Sequence, residues 1–334
     1  MIANDIPLVD LHRHLEGNIR ISTIIDLARK HNLDLPAWDE DSLRPYVQVQ
    51  TQQPGVMAFL EKFEIPMRVL VDLDACRRIA YEAVLDAAGE GIDYIELRFS
   101  PWFMGEKYGL PTQGVVEAVL DGVDAGREES GIAVKMLGIL SRTYGPEIAK
   151  QELNALLSHS NKIVGLDLAG DEAKFPAELF KHHFERARDV NWKATVHAGE
   201  AAGVESVWQS IKVLGAQRIG HGLAIVQDPA LMDYLFERQI GIETNLTSNV
   251  QTSSVKDYAS HPLKKFLDAG LCASINSDDP GISGIDLRYE YEVAAPQAGL
   301  READIRRAQL NAVESAFMTP KERKKLVESK QAGS

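Results

Sequence analysis

Leu8-Val9-Asp10-Leu11-His12-Arg13-His14 is a short apolar run that ends in two imidazoles, two residues apart. The same construction returns three times. Ala194-Thr195-Val196 runs into His197-Ala198-Gly199-Glu200, Arg218-Ile219 into Gly220-His221-Gly222, and Cys272–Ile275 towards Ser277-Asp278-Asp279. Reactive groups gathered at the ends of buried strands are what an α/β barrel presents on its C-terminal face. Several imidazoles with a few carboxylates suit one metal ion, one water and the acid–base groups to use it.

Working outward, further apolar runs lie at Ile92–Phe99, Val134–Leu140, Ile163–Leu168 and Ile240–Glu243. Few polar residues interrupt them, as expected of strands in a buried parallel sheet. Between them stand amphipathic stretches such as Ala177–Val190, Val204–Leu214 and Pro229–Arg238, with apolar residues at helical spacing. Eight strands alternating with helices predict an α/β fold of the (β/α)₈ type, with a doubly wound sheet as the alternative. The whole chain, 1–334, reads as one barrel domain. About eighty residues separate the first two strands, more than one crossover helix needs. Residues 18–90 therefore hold additional helices, and the apolar segment Val56–Val71 is the part suited to fold over the barrel mouth as a lid. Pro66 is expected to break a helix there. Residues 301–334 read as two closing helices, the second starting at Thr319-Pro320.

Composition narrows the function. The chain has 334 residues, 45% of them hydrophobic, and a net charge of −13. That balance argues against a nucleic-acid surface, and the basic run Lys321–Lys325 reads as a solvated helix face. Two distant cysteines, Cys76 and Cys272, make no disulfide framework and no C-x-x-C site. The first residues, from Met1, show no basic region followed by an apolar one, and no run is long enough to span a bilayer. The expectation is a cytoplasmic protein with a small-molecule ligand, no nucleic acid and no membrane.

Each cluster carries its own chemistry. His12 and His14 sit two apart, so a strand points both to one side, where they can grip one ion. His197 is a third imidazole, and Glu200 follows it across a turn at Gly199; a carboxylate that does not ligate is a ready proton shuttle. His221, between two glycines, suits either ligation or water orientation. Asp278 and Asp279 are neighbours that face different ways, so one can bind metal while the other reaches the ligand.

Read together with Asp167-Leu168-Ala169-Gly170-Asp171-Glu172, these segments form an ordered series. The others are Asp10-Leu11-His12-Arg13-His14-Leu15-Glu16-Gly17, Thr195–Glu200, Arg218–Gly222 and Ser274–Pro280. The series resembles the motifs of the adenosine deaminase family of metal-dependent amidohydrolases, in order and in spacing, from about residue 6 to 320. The resemblance implies a (β/α)₈ barrel with one Zn²⁺ per chain and hydrolytic deamination of adenosine, and of deoxyadenosine, to the inosine product and ammonia in purine salvage. It implies His12, His14, His197 and Asp278 as metal ligands. Glu200 matches the donor of a proton to ring nitrogen N1, and His221 the residue that orients and deprotonates the attacking water. Asp279 matches the carboxylate that meets N7, Gly170 the backbone N–H that meets N3. His14, Glu16, Gly170 and Asp279 form the implied substrate-contacting set. The cysteine motif of the other zinc deaminases is absent.

Glu16 departs from the aspartate common in that family, where the carboxylate contacts the ribose 5′-hydroxyl. A His-Leu-Glu-Gly motif is similar to that of adenine deaminases, so adenine or another 6-aminopurine is the alternative substrate. A two-metal amidohydrolase is a rival, although the fourth strand ends Asp167-Leu168-Ala169-Gly170 without the lysine such enzymes use. A non-catalytic purine-binding relative is a second rival, and it would be expected to lose a ligand or the acid. Glu96–Pro101 and Leu246–Asn249 resemble family segments too, and read as support for the site rather than as catalysts.

Overall fold

A computed structural model describes residues 2–333; Met1 and Ser334, the outer ends of the two terminal readings above, lie outside the described residues. All eight predicted strands are present. They are β1 (Val9–His14), β2 (Tyr94–Phe99), β3 (Ala133–Ser141), β4 (Ile163–Ala169), β5 (Lys193–Ala198), β6 (Arg218–His221), β7 (Gly241–Thr244) and β8 (Ala273–Ile275). They pair in parallel in the order β1 to β8, which a doubly wound sheet, with its reversal of strand order, does not do. The ring closes through a bridge between Arg13 and Asp278. The Asp278 N–H donates to the His12 carbonyl, and the His14 N–H to the Asp278 carbonyl, both at 2.8 Å. A site residue thus joins the last strand to the first.

The sheet's outward side packs on helices through a continuous apolar cluster that includes Leu97, Val196, Ile219 and Ile275. The inward side is unlike the branched aliphatic filling usual in such barrels. Its lower layers are charged: Arg98 pairs with Asp167 and Glu243, both at 2.8 Å, and Arg218 pairs with Glu96 and Glu243. All five side chains are buried.

Residues 18–90 hold the helices Ile21–Lys30, Glu40–Val47, Val56–Leu60, Glu64–Arg68 and Leu73–Gly89. Pro66 falls in the first turn of Glu64–Arg68, where a missing N–H costs little. The break it demands lies just before it, in the tighter turn Glu61–Phe63. At the other end, Glu302–Ser315 and Pro320–Gly333 are the two closing helices. Between them the Phe317 N–H donates to Glu96 at 2.5 Å and the Phe317 ring lies 3.5 Å from the Arg218 guanidinium, which seals the barrel's lower end. No helix among the described residues is long and apolar enough to cross a membrane.

Candidate metal and purine site

At the upper end of the barrel four side chains converge. His12 Nε2 lies 3.3 Å from His14 Nε2, and His14 Nε2 lies 3.2 Å from His197 Nε2. Asp278 Oδ1 is 3.2 Å from His12 Nε2 and 3.4 Å from His14 Nε2. A tetrahedral ion with bonds of about 2.0–2.1 Å needs donors about 3.3 Å apart, so this spacing fits the donor set of a structural or catalytic metal. Convergence alone also admits His221, since ligand atoms of His12, His197, His221 and Asp278 lie within 4.8 Å of one another.

The outer nitrogens separate the two sets. His12 Nδ1 faces the Glu243 carboxylate at 2.8 Å, and His197 Nδ1 faces Asp167 at 3.1 Å. A carboxylate behind an imidazole holds the proton on the far nitrogen and leaves the near one free to ligate. His221 Nδ1 faces instead the side-chain amides of Asn245 at 3.2 Å and Asn249 at 2.9 Å. Its Nε2 points at the carboxylates, 3.6 Å from Glu200 Oε2 and 3.8 Å from Asp278 Oδ2. His14 Nε2 stands within 3.4 Å of donor atoms of His12, His197 and Asp278, whereas His221 Nε2 is 3.8 Å from Asp278. Burial holds the His14 and His197 rings below the usual imidazole range, hence neutral with a lone pair available.

The backbone is bent to make these contacts. His221 and Asp278 adopt φ of 63° and 61°, where residues with a side chain rarely sit. Asp278 lies three residues beyond β8 rather than at its end, because Asn276 and Ser277 first tie the chain down. The Asn276 N–H donates to the Thr244 carbonyl at 2.9 Å, and the Ser277 hydroxyl to Asp10 at 2.5 Å. Asp279 then turns away from the imidazoles into the cavity, and its Oδ1 is buried without a partner. Burial, then the neighbouring Asp278, Glu16 and Glu200 charges, push its carboxyl well above the usual range. Gly17 is required beside it, since a Cβ there would overlap the Asp279 carboxylate.

The cavity above this floor has a volume of about 280 Å³. His14, Glu16, Gly170, Glu200, His221 and Asp279 reach it, so every expected substrate-contacting residue lines one space. Val56, Met57, Phe59, Leu60 and Phe63, from the first half of the Val56–Val71 segment, supply an apolar wall. Gly170 has φ of 110° and sits against Thr143. Its lack of a side chain is thus demanded by the turn itself, besides leaving its backbone open to the cavity.

Glu200 is placed by a residue the motifs contain but sequence reasoning left without a role. Glu172 accepts from the N–H groups of Gly199, Ala201 and Ala202 at 2.6, 2.8 and 3.0 Å, and from the Ser206 hydroxyl at 2.5 Å. It thereby clamps the loop that carries Glu200. Burial, then Asp278 and Glu172, push the Glu200 carboxyl up to about 8. Glu16 is likewise pushed up to about 8 by burial; the Ser100 N–H donates to its Oε1 at 2.5 Å, while Oε2 has no partner. Glu243 and Asp167 stand behind the imidazoles, and both occupy strand positions where only the inward direction of the side chain reveals a role.

The sequence matches the family model described as Adenosine deaminase over residues 7–332. It is 56% identical over 333 residues to the adenosine deaminase of Proteus mirabilis, covering 100% of both chains. In fold it is similar to the adenine deaminase of Arthrobacter aurescens, with a TM-score of 0.90, 23% identity, and 98% and 99% of the two chains covered. An amidohydrolase of Burkholderia ambifaria with bound Zn superposes with a TM-score of 0.86 at 22% identity, over 99% and 94% of the chains. The motif series, the barrel and the convergent imidazoles agree with this full-length match: the chain belongs to the adenosine deaminase family.

Proposed function

We propose that this chain is a zinc-dependent adenosine deaminase, converting adenosine, and 2′-deoxyadenosine, to the 6-oxo nucleoside and ammonia. The observation that carries this reading is the meeting of a metal donor set with buried Glu200, its carboxyl pushed up to about 8, at the floor of one small cavity. His12, His14, His197 and Asp278 would hold the ion. When bound, Zn²⁺ supplies the Lewis acidity that makes water nucleophilic near neutral pH.

The remaining chemistry belongs to the chain. Glu200, raised to about 8, keeps its proton at neutral pH and can give it to N1 as C6 becomes tetrahedral. N7 is an acceptor, so its partner must donate, and burial with the neighbouring carboxylates pushes the Asp279 carboxyl well above its usual range, towards the protonated form that can donate. Gly170 offers its backbone to N3. His221 faces the attack site and orients the water. Glu16 has one oxygen tied to Ser100 and one free, a geometry that suits a single hydroxyl such as the ribose 5′-OH. The segment Val56–Phe63 acts as the lid, covering the purine with apolar side chains and keeping bulk water out. A single apolar cluster joins residues of the 18–90 insertion to the barrel, which supports one domain. A role in purine salvage inside the cytoplasm fits such an activity.

The test is side-by-side turnover of adenosine, deoxyadenosine and adenine by the zinc-loaded protein, followed by ultraviolet absorbance, with the metal counted per chain. Preference for the nucleosides at one zinc per chain is the expected result. Preference for adenine would move the protein to base deamination, with Glu16 the first residue to exchange. Two metals per chain would overturn the mononuclear site.

A further inference from the structure

The hydrogen bonds behind His221 run in one direction, and the direction can be read from a backbone group. The Leu263 N–H can only donate, and it donates to His261 Nδ1 at 3.1 Å. His261 is buried, and burial keeps it neutral, down to about 3. Its remaining proton must therefore sit on Nε2, which lies 3.1 Å from Asn249 Oδ1. That contact fixes which way the Asn249 amide faces, an assignment otherwise ambiguous by symmetry of shape. The Asn249 amide nitrogen then points its two hydrogens at His221 Nδ1, 2.9 Å away, and at Glu200 Oε1, 3.2 Å away. Asn249 itself is fully buried.

We propose that Asn249, held by His261, is the positioning residue that sets where the protons sit on His221 and Glu200. With Nδ1 accepting from the amide, the His221 proton is left on Nε2, the nitrogen that faces Glu200 Oε2 and Asp278 Oδ2. With Oε1 accepting, Glu200 carries its proton on Oε2, the oxygen on the His221 side. The Asn249 amide reaches both groups, and the Asn245 amide, 3.2 Å from the same His221 Nδ1, supports the same tautomer. It follows that His221 meets the attacking water first as a donor rather than as a base, since its inner nitrogen is already occupied. The Asn249 side chain bonds to His221, Glu200 and His261, and His261 to Asn249 and the Leu263 N–H; neither lines the cavity, so neither is a catalytic residue. The proposal rests on the roles given above to His221 and Glu200.

The opposite behaviour of His12 and His197 supports the assignment. Those rings have carboxylates on their outer nitrogens and so expose a lone pair inward. His221 has an amide donor there and exposes a proton. The same side chain is therefore given two electrical characters by its outer neighbour alone.

Two variants and one spectroscopic readout test this in the zinc-loaded full-length protein. Asn249→Asp keeps the shape but puts an acceptor against His221 Nδ1. It is expected to lower kcat about 100-fold, the scale of a misplaced proton, while KM changes less than about threefold. His261→Phe fills the space without a donor and should lower kcat about tenfold, whereas His261→Gln, which can still donate, should retain most of it. Nitrogen-15 spectra of histidine-labelled protein read the tautomer directly, whether or not any purine is turned over. The Nε2–H form of His221 in the parent and its loss in Asn249→Asp are the expected results. An Nδ1–H form in the parent overturns the proposal. So does an unchanged kcat in Asn249→Asp, or a fall in zinc content and melting temperature that accounts for all the lost activity. If the parent turns over no aminopurine, the deaminase reading fails while the spectra still decide the tautomer.

Discussion

The interior of the barrel has two polar halves built on opposite rules. In the lower half every carboxylate meets a guanidinium: Arg98 joins Asp167 to Glu243, and Arg218 joins Glu243 to Glu96. In the upper half Glu16, Glu200, Asp278 and Asp279 gather around imidazoles, and among the described residues none has an Arg or Lys partner. A buried charge without compensation is costly, so it changes protonation or waits for an ion. The lower half compensates itself and acts as scaffold. The upper half is compensated by protons, by a cation and by a ligand, which is what makes it a site. Glu243 and Asp167 belong to both halves, since each also holds a metal-facing imidazole in place.

The largest expected effect tests the upper half. Glu200→Gln keeps the shape and the metal donors but removes the transferable proton. Turnover of adenosine should fall about 1000-fold with zinc content unchanged. Activity close to the parent's would take Glu200 out of the role of acid.

Next, the contrast between the halves can be set out in stability. Arg98→Met removes the only guanidinium on buried Asp167 among the described residues and one of the two on Glu243, and should cost about 3–5 kcal/mol, read from the denaturant midpoint of the metal-free protein. Asp279→Asn, in the upper half, removes a carboxyl crowded by three others and should leave that midpoint unchanged or raise stability by about 1 kcal/mol. Equal losses in the two variants would erase the distinction drawn here.

The smallest effect is a pH dependence. Glu200 is an acid whose folded-state pKa is raised to about 8, so it is protonated below that pH and ionised above it. Activity should therefore decline as pH rises through about 8 and be flat on that side in no variant that retains Glu200. A kcat/KM that instead rises as pH passes up through about 8 would mean that the carboxylate, not the acid, is the working form.

Much of this was legible in the chain. Eight apolar runs named eight strands, because a strand buried on both sides leaves a continuous apolar signature. The long gap after the first strand announced extra helices, and Pro66 marked their break to within a turn. The ordered motifs named the residues that meet at the cavity, since strand ends carry the chemistry in such a barrel. The family followed from the same residues, through a resemblance that the full-length match bore out.

The rest needed three dimensions. Nothing in the run Ile240–Glu243 says that Glu243 turns inward to hold His12 while pairing two arginines, because periodicity gives a side but not a partner. Glu172 stands in a recognised motif, yet its clamp on residues 199–202 exists only because β4 and β5 lie side by side. His261 lies twelve residues from Asn249 and has no metal-ligand spacing to betray it. The sequence by itself determined which atoms are present and which strands deliver them. Only the tertiary structure decided which nitrogen of each imidazole keeps its proton, because that choice belongs to the neighbour on the ring's far side, and the neighbour comes from elsewhere in the chain.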